Sequence, residues 1–274
     1  MSGSGPSIPT YKVTTINLGN QRVDHSLMVS ERGFGQAVDM PAWTAAIEGN
    51  GKRILVDTGI ADPAWVEKVM VPCWLEDHER FDRALGDLGW SPNSVDIVIN
   101  THFHHDHCAN NKLLPNAQFY ATAKEWEYAQ APIEPQRVNY SHHYWEQEPL
   151  SIFNYVLIGT DYFQIAPGLM TFFTPGHTPG HQSVLVNTDE GKLCVTGDAV
   201  AFRQSFAEHR CSAIIVSVKE AMESLDKIRT LADRVLMNHD PLLVQHQSSG
   251  FPSILEMEGS PLGDGSQAGE APTD

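Results

Sequence analysis

The stretch "THFHHDHCANN", residues 101–111, sets four histidines and an aspartate in the six positions from His102 to His107. It parses as His102-x-His104-x-Asp106-His107. Residues two apart in an extended or loop segment point to the same side, so the imidazoles of His102 and His104 can reach one ion. Asp106 and His107 follow at once and can serve a second ion beside it. Borderline cations such as zinc favour this mixture of imidazole nitrogen and carboxylate oxygen. A solvated polar loop is the plain alternative, but it leaves the pattern of the rest of the chain unexplained.

Three later stretches repeat one arrangement. "TPGHTPGH" (174–181) follows the apolar run 169–173 and carries His177 and His181. "TGDA" (196–199) follows 192–195 and carries Asp198, and "NHDP" (238–241) follows 234–237 and carries His239 and Asp240. Each apolar run reads as a buried strand with a polar residue delivered at its tip. The histidine cluster itself closes such a strand in "VDIVINTH" (95–102), and Asp57 closes another in "KRILVD".

Upstream, "YKVTTINLG" (11–19) reads as a strand and residues 20–41 as a long loop. Residues 42–59 form a hairpin around Gly49-Asn50-Gly51. Phe81, Leu85 and Leu88 stand at helical spacing within 78–89. "AQFYAT" (117–122) predicts a strand and 123–130 a helix. Residues 131–160 are aromatic-rich and irregular, and 217–232 carry the best amphipathic helix, with Val218, Met222, Leu225, Ile228 and Leu231 on one face. Strands interspersed with helices imply sheets covered by helices.

The chain's 274 residues, 41% of them hydrophobic, suffice for a sizeable core. Its 34 acids against 18 bases give a formal charge of −16, which disfavours a nucleic-acid partner. Residues 256–274 hold five acids and no base. The four cysteines form no CxxC pair, so free thiols in a reducing cytoplasm are expected. The start, "MSGSGPSIPT", lacks the charged and apolar regions of a signal peptide, and no apolar run is long enough for a bilayer, so no membrane partner is expected.

The combination of HxHxDH with a later His, Asp and His resembles the metallo-β-lactamase superfamily over roughly residues 11–245. The resemblance implies an α/β fold, an αββα sandwich of two mixed β-sheets flanked by helices. It implies one domain over 1–257, with 258–274 left as a disordered acidic tail. Carried over, His102, His104 and His177 hold a first metal; Asp106, His107 and His239 hold a second; Asp198 bridges the two. Two divalent ions are expected, zinc first, with manganese, iron or cobalt tolerated by the same donors. Asp57 and His181 are expected to support ligands rather than bind metal. His105 should point away from the ions, and Cys108 should be a packed thiol.

Within the superfamily, "LMTFFTPGHTPGHQSVLV", "TGDA", "NHDP" and "GKRILVDTGIADP" resemble the N-acyl homoserine lactone lactonases. That likeness implies a metal-dependent hydrolase that opens an acyl homoserine lactone or another lactone, by attack of a hydroxide shared between the metals. Asp106 would pass a proton to the leaving alkoxide. Such lactonases commonly carry a tyrosine three residues after the bridging aspartate; here that position is Ala201, followed by Phe202. Tyr140 and Tyr144 are candidate replacements, and Phe202, Tyr144, Trp145 and Phe34 are candidate substrate contacts. Another cyclic ester or amide is the alternative substrate. A glyoxalase II-like thioesterase shares all seven ligands but adds a basic C-terminal region, whereas the 35 residues after His239 contain no Lys or Arg. A non-enzymatic metal-binding protein is disfavoured by the complete ligand set. A homodimer is compatible with the aromatic 131–160 segment.

Overall fold

The computed structural model describes residues 8–140, 154–246 and 248–259. Two mixed sheets stack face to face. The first is built from β1 (Lys12–Asp24), β2 (Ala37–Gly49), β3 (Lys52–Val56), β4 (Cys73–Trp74), β5 (Ile97–Ile99), β6 (Gln118–Thr122) and β7 (Tyr155–Ile158), in the order β4-β1-β2-β3-β5-β6-β7. β1 to β4 pair antiparallel, and β3, β5, β6 and β7 pair parallel. The second holds β8 (Tyr162–Ala166), β9 (Leu169–Phe173), β10 (Gln182–Thr188), β11 (Gly191–Val195) and β12 (Arg234–Leu236), in the order β12-β11-β10-β9-β8. Only its β11–β12 pair is parallel.

The inner faces meet in one apolar layer. Ile47, Ile54, Val56 and Ile99 of the first sheet pack against Val184, Val186, Val195 and Leu236 of the second. The outer face of the first sheet carries Leu55, Val98 and Phe119 under Phe81 and Leu85 of the helix Phe81–Asp87. The outer face of the second carries Phe172, Cys194 and Val235 under Leu225 and Ile228 of the helix Val218–Leu231. Ser217 caps that helix by accepting from the Glu220 amide. The layers run helix, sheet, sheet, helix, which is the expected sandwich.

The hairpin forms as expected, turning at Asn50 and Gly51, whose φ values of 50° and 69° suit the tight turn between twisted strands. Helices Ala123–Gln130 and Val218–Leu231 also lie where spacing placed them. Residues 20–41 are not one long loop. β1 continues to Asp24 and β2 starts at Ala37, the two pairing from Asn20↔Pro41 to Asp24↔Ala37. A bulge between Asn17 and Asn20 shifts the register. Gly19 lies inside it at φ 130°, where a Cβ would meet Ile60 at 2.8 Å. The strand escapes sequence reading there because its buried face carries Gln21, a polar side chain turned toward the site. β7 and the sheet-edge strand β8 were unexpected too; Tyr162 on β8 is largely exposed, so its alternation carries little hydrophobic signal. At the other end a helix runs Ile254–Gly259, two residues into the segment expected as tail; the remainder of that segment lies outside the described residues.

Candidate metal centre

Every predicted ligand leaves the C-terminal tip of a strand. His102 to His107 follow β5, His177 follows β9, Asp198 follows β11 and His239 follows β12. Because these tips share one edge of the sandwich, residues more than 130 positions apart converge. Three overlapping groups each bring their donor atoms within 4.8 Å of one another: His102, His104 and His177; His102, His107 and Asp198; Asp106, His107 and His239.

Asp198 lies between the two halves. Its Oδ1 is 3.1 Å from His107 Nε2 and 3.0 Å from His239 Nε2, while its Oδ2 is 3.3 Å from His177 Nε2. His177 Nε2 is 3.0 Å from His104 Nδ1, and His239 Nε2 is 3.3 Å from His107 Nε2. Asp106 Oδ1 is 3.7 Å from His107 Nε2.

The outward ring nitrogens explain why the inward ones converge. His177 Nδ1 donates to the Ile214 carbonyl at 2.6 Å and His239 Nδ1 to the Pro41 carbonyl at 2.8 Å. A carbonyl only accepts, so these rings carry a proton on Nδ1 and turn Nε2 inward, where its lone pair is available to a cation once any proton on it has left. His107 Nδ1 donates to Asp57 Oδ2 at 2.8 Å. Thr101 Oγ1 donates to Asp57 at 2.8 Å and therefore accepts from His102 Nδ1 at 3.0 Å. Asp57, placed by sequence as a supporter of ligands, thus holds His107 directly and His102 through Thr101. It also accepts from the Thr101 amide and from Asn238 Nδ2. His181 accepts from the Asp198 amide at 3.0 Å through Nε2 and lies 2.8 Å from Thr174 Oγ1 through Nδ1, so both ring nitrogens are engaged and neither is left for an ion.

Charge follows this arrangement. Burial drives His102 and His104 well below the usual histidine range, with neighbouring imidazoles adding to the effect. Burial also pushes His107 down, but the carboxylates of Asp198, Asp106 and Asp57 more than reverse it and leave that ring raised. His239 is raised in the same way, against burial, by Asp198 and Asp106. Burial acts to raise Asp106 and Asp198, and the surrounding histidines overcome it and hold both carboxyls low. The inward atom His102 Nε2 is buried with no hydrogen-bond partner, and Asp198 Oδ1 is buried between the imidazole nitrogens of His107 and His239. A buried lone pair without a partner is unfavourable unless a cation takes it, so the donor set fits divalent metal.

His105 is buried and turned to Gln21, and Cys108 is a buried thiol against the Phe103 and His104 carbonyls. Phe202 lies in a packed cluster with Val23, Met28, Val29 and Met40, and its ring meets His25 edge-on at 5.8 Å. Ala201 belongs to the same cluster. Phe34 is exposed. Tyr144 and Trp145, like His142 and His143, lie outside the described residues. Tyr140 packs its ring 4.6 Å from that of His104, but its hydroxyl donates to Glu125 Oε1 at 2.6 Å.

Glu125 is the main residue that sequence reasoning missed. Fully buried, it accepts from the Phe103 amide, between His102 and His104, and from Thr178 Oγ1, beside His177. It thereby ties together the loops that carry His102, His104 and His177. Its only sequence signal was a capping pattern, Thr122 to Glu125, at a helix start.

A model described as the metallo-beta-lactamase superfamily matches residues 38–237. An N-acyl homoserine lactonase from a Bacillus sp is 29% identical over 243 residues, spanning 85% of this chain and 91% of that protein. The N-acyl homoserine lactonase AttM of Rhizobium radiobacter is 33% identical over 207 residues, spanning 70% of this chain and 75% of that protein. The fold matches that of an N-acyl homoserine lactone hydrolase solved with its product N-hexanoyl-L-homoserine at the catalytic metal centre. The TM-score is 0.74 over 88% of this chain and 97% of that one, at 22% identity. The chain belongs to the metallo-β-lactamase superfamily and, within it, stands with the N-acyl homoserine lactonase-like group.

Proposed function

We propose that this protein is a dinuclear metal-dependent hydrolase that opens lactone rings, with N-acyl homoserine lactones the first substrates to test. The observation that carries the reading is Asp198, which turns one oxygen to His107 and His239 and the other to His177. A carboxylate so placed could be shared between two cation sites. The similarity to N-acyl homoserine lactonases supplies the substrate class.

In this reading His102, His104 and His177 hold one divalent ion, and Asp106, His107 and His239 hold the other. Zinc suits these nitrogen and oxygen donors best. When bound, the two ions lower the pKa of water toward neutrality and polarise the ester carbonyl. The chain supplies the rest. Burial keeps His102 and His104 unprotonated at neutral pH and so ready to ligate. Asp57 and the Ile214 and Pro41 carbonyls fix three ligand rings. Asp106, ionised among histidines, takes the proton released when water adds to the carbonyl and passes it to the ring oxygen as the C–O bond breaks. The product is a hydroxy acid, which releases one proton at neutral pH. Four buried free thiols suit a reducing compartment, and we place the protein in the cytoplasm. Among the described residues no helix is long and apolar enough to cross a membrane.

Acid release tests the reading. Zinc-loaded and manganese-loaded protein is offered short- and long-chain homoserine lactones, simple γ- and δ-lactones, cyclic imides and a glutathione thioester, in weak buffer with a pH indicator. Turnover of homoserine lactones is expected. Turnover of the thioester with silence on every ring would replace this reading by the thioesterase one.

A further inference from the structure

We propose that Gln21 is a positioning residue for Asp106, and that His105 fixes the amide of Gln21 in the one orientation that serves it. The inference rests on the reading of Asp106 as a working carboxylate of the metal centre.

Gln21 is buried, and its Nε2 donates to Asp106 Oδ2 at 2.8 Å. Its Oε1 accepts from His105 Nε2 at 3.3 Å. A carboxamide is a donor on one side and an acceptor on the other. Rotated by half a turn, it would set its carbonyl oxygen against the Asp106 carboxylate, a contact between two acceptors. Because Asp106 only accepts, Gln21 must turn its NH2 group to it and its Oε1 to His105, which then carries its proton on Nε2; that N–H in turn disfavours the rotated amide. The chain therefore has a direction: His105 donates to Gln21, and Gln21 donates to Asp106.

The backbone holds both ends. Gln21 is paired on one side with Met40 and on the other with Cys73, so its Cα cannot drift. The bulge before it in β1 resets which side chains face the site. The His105 amide donates to the Asn139 carbonyl, and the His105 ring meets Trp65 edge-on at 6.2 Å. With Oδ2 held by Gln21, Asp106 leaves Oδ1 facing His107 Nε2 at 3.7 Å. A neutral donor suits this task. It aims the carboxylate without neutralising it, as a lysine would, and without repelling it, as a glutamate would.

The test uses the full chain loaded with cobalt(II), comparing wild type with Gln21→Met, Gln21→Glu, His105→Phe and the double variant Gln21→Met with His105→Phe. Metal affinity and the visible cobalt spectrum are read first, then kcat and KM on a lactone that the wild type opens. Methionine keeps the length and volume of Gln21, so a packing role predicts no change. Positioning predicts a weaker second cobalt, by on the order of 10-fold, with an altered visible band. It also predicts kcat lowered on the order of 10-fold with KM nearly unchanged, and a larger loss in Gln21→Glu. His105→Phe should reproduce part of the Gln21→Met loss and cost clearly less on top of Gln21→Met than alone, because part of its effect passes through Gln21 and the rest comes from its own ring, whose Nδ1 lies 3.9 Å from Asp106 Oδ1. A wild-type cobalt spectrum and kcat in Gln21→Met would overturn the proposal, as would losses that simply add. If Gln21→Met does not fold, His105→Phe decides: a wild-type cobalt spectrum and kcat there overturn it. A wild type that opens no lactone would end the functional reading alone, since cobalt affinity and spectrum still test Gln21.

Discussion

Asp57 Oδ2 lies 2.8 Å from His107 Nδ1, with both side chains 1% exposed. Asp57 also accepts hydrogen bonds from the Thr101 amide, the Thr101 hydroxyl and Asn238 Nδ2, so a single buried carboxylate organises four donors around His102 and His107. Its backbone sits at φ 67°, a conformation that aspartate and asparagine tolerate better than most residues. Asp57→Asn therefore isolates the charge from the backbone. The variant should fold but bind its second metal about 10- to 100-fold more weakly. Competitive chelator titration, read as metals retained per chain, checks this. Unchanged affinity would mean that Asp57 is a fold residue and not a support of the metal centre.

His181 gives a pH prediction for the metal-free protein. Burial, then the neighbouring His177, lowers its basicity to about 3, against about 6.5 for an unfolded histidine. Between those values the unfolded chain binds a proton that the folded chain refuses. Stability from this group is therefore complete above pH 6.5 and is lost as pH falls toward 3. One such proton tilts the unfolding free energy by about 1 kcal/mol per pH unit. Urea unfolding of wild type and His181→Gln between pH 7.5 and 5 should show the variant falling less steeply. Parallel curves would mean that His181 takes up its proton without unfolding.

The strand tips were legible in the sequence because each sets a polar residue directly after a run of buried apolar ones. His177, Asp198 and His239 stand out against 169–173, 192–195 and 234–237 for that reason. Gln21 and Glu125 were not legible. Each lies in an element whose pattern explains it locally, a strand with one polar face or a helix cap, and only the fold brings Gln21 to Asp106 and Glu125 to Phe103 and Thr178. The extension of β1 past Gly19 was hidden for a related cause. A strand that faces a polar site on one side loses the alternation by which strands are read.

Ala201 occupies the position where the lactonase resemblance leads one to expect tyrosine. Its methyl group is packed among Val23, Met28, Val29 and Met40 beside Phe202. Ala201→Tyr must push a large ring into that cluster. The expected result is a loss of about 1–3 kcal/mol by urea unfolding, with no gain in lactone turnover. A variant as stable as wild type and faster on homoserine lactones would show that the cluster opens toward the site.

Asp198→Asn tests the junction of the two metal positions. The substitution keeps shape but leaves one oxygen and one NH2 group where two anionic oxygens faced His107, His239 and His177. Whichever way the amide turns, one half of the site loses its anionic donor and gains an N–H aimed at lone pairs. Supporting residues around a metal carry about 10- to 100-fold in affinity or activity, and a donor shared by two ions should exceed that range. Metal content by elemental analysis should fall from two toward one per chain, and lactone turnover should fall with it by more than about 100-fold. Removing the negative charge should also let burial lower His107 and His239, since Asp198 is the largest of the influences that raise them. NMR titration of the metal-free variant should therefore show both rings less basic than in wild type. Two tightly held metals per chain in Asp198→Asn would mean that the ions are held independently and that Asp198 does not bridge them.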